Sequence, residues 1–310
     1  MQKILITGAN GFTGYYLSNL LLQKGYKVFA TGKGACRLPH KQQNFFYWNM
    51  DFTNPGDINS CLNELLPHVI VHGGAFSKPD FCEQHKELAF ATNVTGTKYL
   101  LEAAASLQSH FIFLSTDFVF SGQKPGFDIN EPGSFYIETD ERNPVNFYGE
   151  TKCIAEDEVI KYPFNNAVVR TATVFGNNYS ERDNLVTTVA SSLKSGKSYS
   201  VFSDQVRSPT YIEDLCEGIL KIIENKAGGT YHIAGAEVCN LYELALKVSD
   251  HLQIDKKLLK EITAATFKQS AARPYNTCLD INKARHDLGY QPRSLKEGLR
   301  KTLEQDEIIS

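Results

Sequence analysis

Cysteine is present but unpaired in pattern: the seven residues, at 36, 61, 82, 153, 216, 239 and 278, are odd in number and never form a C-x-x-C motif. Neither a disulfide framework nor a zinc site is supported, and most of these thiols are expected to be small buried hydrophobes in a reducing compartment. No apolar stretch approaches the roughly 18 residues that a membrane span needs, so no membrane partner is expected. The opening residues, MQKILITGANG, show no charged segment leading into a long apolar run and small-residue cleavage site, which gives the expectation of a cytoplasmic protein. A basic excess is missing too. A formal net charge of -3 and a pI near 6.3, with lysines and arginines dispersed, leave no field for nucleic acid. What remains, 310 residues with 42% hydrophobic content, can bury one large core or two modest ones.

Residues 3–7, KILIT, form an apolar run that ends at glycine and predicts a strand buried on both faces. The amphipathic FTGYYLSNLLLQKG that follows predicts a helix closing at Gly25. Between them, in GANGFTG, Gly8, Gly11 and Gly14 sit where a strand turns into a helix. Backbone N–H groups at such a turn approach a pyrophosphate with no side chain in the way, so Gly8, Asn10, Gly11, Phe12, Thr13 and Gly14 are expected to hold a dinucleotide. The spacing is G-x-x-G-x-x-G instead of the G-x-G-x-x-G fingerprint, and a tight turn without a ligand is the plain alternative. The second strand, YKVFAT, ends without the acidic residue that accepts from an adenosine ribose, and Lys33 and Arg37 follow it. Two cations would hold a 2′-phosphate that a carboxylate would repel, which favours NADP(H) and leaves NAD(H) open. A third apolar segment, NFFYWNM, leads to Asp51 and Phe52, placed to lie beside an adenine.

A helix over 57–66 and the strand HVIVH add a further β-α-β step. The expected fold class is therefore α/β, a doubly wound parallel sheet of Rossmann type with a smaller C-terminal substrate lobe. Gly73, Gly74 and Ala75 would let a cofactor lie against backbone at one strand end. A long helical region from Pro79 to Leu107 carries Asn93, which either satisfies a neighbour or holds a water in a proton path. The strand HFIFLST ends at Thr116, whose hydroxyl can donate to a carbonyl oxygen. The stretch NPVNFYGETK then sets Tyr148 one helical turn before Lys152; with a helix starting near Asn146, phenol and ammonium share a face. A nearby ammonium favours phenolate and suits Tyr148 to acid–base work, whereas an exposed helix pair is the plain alternative. The loop 121–142 is expected to be a lid. After Gly176 the strand–helix alternation loosens. Residues 1–176 are thus expected to hold the dinucleotide and 177–310 the substrate, with segments of 211–236 able to return to the first domain. In the second lobe, Arg207 and Arg273 are candidates for an anionic group such as a diphosphate.

The glycine motif, Thr116, Tyr148 and Lys152 occur in the order used by the extended short-chain dehydrogenase/reductase superfamily, which the chain resembles over nearly its whole length. More narrowly, STDFVF, NPVNFYGETK, DQVRSPTYIEDL, YHIAG and RPYNTCLD look like the set of the dTDP-4-dehydrorhamnose reductase family. That resemblance implies NADPH-dependent reduction of the 4-keto group of a nucleotide-linked deoxysugar. It implies that Tyr148 donates the proton, Lys152 lowers its pKa and grips the nicotinamide ribose, and Thr116 polarises the ketone. Phe76, Asp117, Phe118, Arg207 and Arg273 would meet the substrate. Three departures stand out. Phe118 replaces the usual tyrosine, the segment between Gly122 and Asn143 is long, and Tyr15 and Tyr16 stand where some members carry a glutamate associated with metal-bridged dimers. No metal is therefore expected, and a homodimer is left open. Two other readings compete. One is an epimerase or dehydratase of the same superfamily, ranked lower because Asp117 would alternate away from Thr116 along a strand. The other is a non-catalytic, cofactor-binding regulatory subunit resembling that of methionine adenosyltransferase, since fold does not fix function.

Overall fold

Apolar runs bounded by glycine and polar turns become seven strands in the computed structural model, which describes residues 1–39, 42–267 and 269–304. The last residues of the expected 177–310 lobe lie outside the described residues. The strands are β1 (Lys3–Thr7), β2 (Lys27–Gly32), β3 (Phe45–Asn49), β4 (Val69–His72), β5 (His110–Thr116), β6 (Asn166–Thr171) and β7 (Gly229–His232). They pair in the order β7-β6-β5-β4-β1-β2-β3, and every pair is parallel. The chain runs outward from β1 through β2 to β3, then returns to the other side of β1 at β4. That reversal opens a crevice at the carboxyl ends of β1 and β4, the place where such sheets take ligands.

Helices cover both faces, which explains why the central strands carry near-continuous apolar runs instead of alternating. On one face α1 (Phe12–Gln23) and α5 (Ile212–Asn225) pack Leu17, Leu21, Ile219 and Ile222 against Ile4, Ile6 and Val71. On the other, α2 (Pro55–Leu65), α3 (Gly96–Leu107) and α4 (Phe147–Ile160) pack Leu62, Leu100 and Val159 against Leu5, Ile70 and Phe111. A second set of short elements follows Gly176, including parallel strands Tyr199–Phe202 and Leu259–Ile262 and helices Leu185–Lys194 and Leu241–Leu252. Asn184 and Asn240 begin these helices with reciprocal capping boxes. All seven cysteines are free and five are buried. Among the described residues, no helix is long and apolar enough to cross a membrane.

Two expectations need correction. The helical region from Pro79 to Leu107 is broken into Pro79–Gln84, Lys86–Phe90, a π-turn at Ala91–Thr95 and α3. The extra residue in that turn rotates Asn93 into the interior. The YHIAG stretch, within the 211–236 segments read as able to return to the first domain, supplies β7 on the edge of the main sheet. The loop 121–142 is no lid. Its Tyr136 stacks on Phe120 with centroids 4.1 Å apart and 15° between planes, and exchanges backbone hydrogen bonds of 2.8 Å with Cys278 and Asp280. Glu138 accepts from the His232 backbone N–H at 3.0 Å. Apolar anchors and backbone pairing make this segment a strap along the sheet edge, and none of its residues lines the cleft described next.

Candidate active site

A cleft of about 1070 Å³ opens over the carboxyl ends of β1, β4, β5 and β6. One half of its wall is Gly8, Asn10, Gly11, Phe12, Thr13 and Gly14, with Lys33, Arg37, Asp51, Phe52, Gly73, Gly74 and Ala75. The other half includes Phe76, Thr116, Asp117, Phe118, Tyr148 and Lys152.

The first half has the form of a dinucleotide cradle. Gly8 has φ of +68°, and a Cβ placed there would lie 2.9 Å from the Gly74 backbone, so only glycine lets these two loops meet. Gly11 caps α1 without a side-chain hydrogen bond, and the first turn holds no acidic residue. The N–H groups and positive end of the helix are thereby left open to a pyrophosphate. Arg37 is anchored to the same loop, its N–H donating to Asn10 Oδ1 at 2.9 Å and Nη2 to the Asn10 carbonyl at 3.2 Å. Lys33 is committed differently, to Asp51 Oδ2 at 2.6 Å. Burial alone would raise the Asp51 carboxyl, but Lys33 and Thr53 hold it below the usual range. These residues fit NADP(H), and Arg37 is the freer cation of the two.

The second half is assembled around α4, which starts where the sequence predicts. Asn146 Oδ1 accepts from Gly149 N at 2.9 Å, and its Nδ2 donates to the Ala272 carbonyl at 2.7 Å. A Cβ on Gly149 would sit 2.2 Å from the Phe118 carbonyl oxygen, so the glycine sets how closely the helix approaches the end of β5. Tyr148 consequently lies beside Thr116, whose hydroxyl acts on the phenol, and edge-on to Phe118 at 6.0 Å. Lys152 Nζ donates to the Leu114 carbonyl at 2.6 Å and lies 3.8 Å from the centre of the Phe113 ring.

The electrostatics differ from the expectation. Burial pushes the Tyr148 phenol up, with Thr116 opposing and the Asp117 and Cys82 charges adding to the rise. Lys152 is not among the groups acting on the phenol, because its head is turned to Leu114 and is itself pulled down to about 7 by burial, with Glu156 opposing. Tyr148 therefore stands as a neutral phenol at neutral pH, a proton donor and not a phenolate.

Asp117 also departs from expectation. β5 stops at Thr116, and Asp117–Val119 is a 3₁₀ turn, so strand alternation does not apply. Thr116 Oγ1 donates to Asp117 Oδ1 at 3.1 Å. The other oxygen takes the Thr277 hydroxyl and lies 3.4 Å from Arg207 Nε. Arg207 is buried, and it donates to the Val206, Tyr275 and Pro274 carbonyls at 2.8, 2.7 and 2.7 Å. It lies outside the cleft lining, its guanidinium taken up by Asp117 and these carbonyls. Arg273 is likewise occupied: Nη2 and Nη1 reach Asp80 at 2.6 and 3.2 Å, and the Ala271 carbonyl lies at 2.7 Å. Both arginines tie segment 271–277 to the body of the protein. Asn93 sits behind the wall, not in it. Its Oδ1 accepts from Phe76 N at 2.8 Å, and Nδ2 donates to the Phe76 carbonyl and Thr151 Oγ1, both at 3.0 Å. Its donors are thus used in fixing Phe76 against α4 instead of holding a water.

Several lining residues were missed from sequence. Lys78 and the exposed Arg182 add cations at the rim, and Thr171 and Thr173 line the edge next to Thr116. Thr173 has φ of +40°, an unusual backbone state for a β-branched residue. The Thr171 hydroxyl is buried without a hydrogen-bond partner, in register opposite Thr116, and the strand NAVVRTATVFG does point Thr171 to Gly176 toward this edge from sequence. Arg182 sits in an irregular loop, where local pattern carries no information on direction.

Comparison with known proteins agrees with this geometry. The family model described as RmlD substrate binding domain matches residues 1–308. A dTDP-4-dehydrorhamnose reductase of Aggregatibacter actinomycetemcomitans is 30% identical over 312 residues, spanning 97% of this chain and 98% of its own. A crystal structure of dTDP-4-dehydrorhamnose reductase from Bacillus anthracis in complex with NADP superposes with a TM-score of 0.85 at 28% identity, covering 98% of this chain and 100% of that one. Methionine adenosyltransferase 2 subunit beta of Bos taurus is 28% identical over 288 residues, 91% of this chain and 81% of its own.

Proposed function

Because the chain belongs to the dTDP-4-dehydrorhamnose reductase family of the extended short-chain dehydrogenase/reductase superfamily, we propose that it catalyses NADPH-dependent reduction of the 4-keto group of a nucleotide-linked deoxysugar. The observation that carries this reading is the meeting of Thr116, Tyr148 and Lys152 in the same cleft as a dinucleotide cradle.

NADPH, when bound, supplies the hydride. Tyr148, neutral at working pH, donates its proton to the oxygen that becomes the new hydroxyl. The Thr116 hydroxyl, which here donates to Asp117, turns to give that oxygen its second hydrogen bond. Lys152, whose head is turned to the Leu114 carbonyl, would hold the nicotinamide ribose when the cofactor binds. Phe76 and Phe118 exclude water from the reacting face. Lys78 and Arg182 at the rim take the role of diphosphate binding that the sequence suggested for Arg207 and Arg273. In this reading residues 1–176, with α5 and β7 added, hold the dinucleotide, and the rest of 177–310 holds the sugar nucleotide. The enzyme works in the cytoplasm on a small molecule, without nucleic acid or membrane, and a homodimer is compatible with it.

The test is stoichiometric consumption of NADPH with a dTDP-linked 4-keto-6-deoxy sugar. No consumption with any 4-keto sugar nucleotide, together with recovery of a stoichiometric protein partner, would favour the regulatory-subunit reading that the subunit beta relatives suggest.

Cofactor preference gives a second test. Arg37→Ala removes a cation with a single side-chain hydrogen bond, so it should raise the KM for NADPH about tenfold or more while leaving that for NADH nearly unchanged. Lys33→Ala should do less, because Asp51 already neutralises Lys33. Equal losses for both cofactors would rule out a 2′-phosphate contact at Arg37.

A further inference from the structure

α4 meets the carboxyl end of β5 in two consecutive hydrogen-bonded rungs, with a third pair beside them. The Leu114 carbonyl accepts from Lys152 Nζ at 2.6 Å, Ser115 Oγ donates to Glu156 Oε1 at 2.5 Å, and Thr116 lies beside Tyr148. Tyr148, Lys152 and Glu156 recur every four residues, which keeps them on one helix face. Glu156 is fully buried, yet no step described above uses it. Its carboxylate takes Arg170 Nε at 3.0 and 3.3 Å, Arg170 Nη2 at 2.7 Å and Arg142 Nη1 at 3.1 Å. A carboxylate so far from water is tolerated only when nearly every lone pair is met, and here two guanidiniums and a hydroxyl meet them. Arg170 also donates to the Glu138 carbonyl at 3.1 Å. One carboxylate thus joins α4 to β5, β6 and the strap.

We propose that Glu156 is a positioning residue for the reaction: it holds α4 in register with the end of β5 and keeps the Lys152 ammonium charged. The inference rests on the reductase reading given above. The titratable groups packed about this face include His72 from β4, Asp117 from the turn after β5, Arg170 from β6 and Arg142 from the strap, with Tyr148, Cys153 and Asp157 on α4 itself. His72 is kept neutral, pulled down to about 3 by burial and by the Lys152 charge. Burial draws Lys152 down to about 7, and Glu156 acts in the opposite direction. Removing the Glu156 charge would also take from Arg170 the carboxylate it shares with Arg142, which keeps Asp157 at 2.5 Å. Both changes favour loss of the Lys152 proton at lower pH.

The experiment compares wild type with Glu156→Gln, which keeps the side-chain size. The alkaline limb of the kcat–pH profile should move down by about one pH unit, the usual effect of one nearby charge. Competitive acetylation of Lys152 against pH, read by peptide mass spectrometry on protein without cofactor, should move in parallel. That second readout needs no turnover: an inactive wild type overturns the reductase reading, while the Lys152 titration still decides the role of Glu156. Glu156→Asp should restore the limb with kcat still reduced, because its charge is kept and its reach is shorter. Should Glu156→Gln fail to fold, Ser115→Ala removes one rung and keeps every charge; it should lower kcat severalfold with the limb in place. A Lys152 titration unmoved in Glu156→Gln, or an unchanged kcat in Ser115→Ala, would overturn the proposal.

Discussion

Tyr148→Phe is expected to lower kcat about a thousandfold while leaving NADPH affinity and Tm near their wild-type values. The substitution removes one oxygen and keeps the ring that packs edge-on against Phe118. It deletes a proton donor whose neutral form burial secures, so the loss falls on the chemical step. The protonation state sets the sign of the pH dependence as well. A phenol pushed above its ordinary range stays protonated throughout the neutral region, so reduction should show no acidic limb from Tyr148. The alkaline limb should instead come from Lys152, whose ammonium titrates near 7 before ligands bind. Steady-state kinetics with binding measured separately by fluorescence decide the matter. A variant with unchanged kcat would remove Tyr148 from the chemistry, and one that lost NADPH binding alone would make it a cofactor clamp.

The second large effect concerns Arg207, and it is expected in folding instead of catalysis. Arg207→Ala would leave Asp117 buried beside only Thr116 and Thr277, and would strip three backbone carbonyls of their donor. Breaking a buried pair in this way costs about 3–5 kcal/mol, or roughly ten degrees in Tm for a chain of this size. Asp117→Asn should couple to it, the double variant losing less than the sum of the two, because they share one pair. A diphosphate-binding arginine would give the opposite pattern: an unchanged Tm and a sugar-nucleotide KM raised many-fold. Differential scanning calorimetry beside steady-state kinetics separates the two.

Arg207 also marks where sequence reading stops. The glycine turn after β1, the cap at Asn146 and the Tyr148/Lys152 spacing are local, each written within a dozen residues, and the structure follows them. The parallel sheet was legible for the same reason, since doubly covered strands read as near-continuous apolar runs. The fates of Arg207, Arg273 and Asp117 depend on partners far along the chain, such as Thr277 with Asp117 across 160 positions and Arg273 with Asp80 across 193. Nothing local to an arginine says whether it will meet a phosphate or a carbonyl. The strap over 121–142 looked like a lid because its glycines and acids are visible in sequence, whereas the stacking of Tyr136 on Phe120 is not. The ionisation of Tyr148 and Lys152 was misjudged on similar grounds: their spacing is a sequence property, but burial, which outweighs it, belongs to the packed fold.

The most direct test follows the hydride. With NADPH carrying deuterium at the transferred position and a dTDP-linked 4-keto-6-deoxy sugar, the account predicts one cofactor oxidised per sugar and deuterium bonded to C4 of the product. Sugar conversion without net NADPH oxidation would point to an epimerase or dehydratase cycle. Label found anywhere but C4, or no conversion at all, would contradict the assignment of this cleft to ketone reduction.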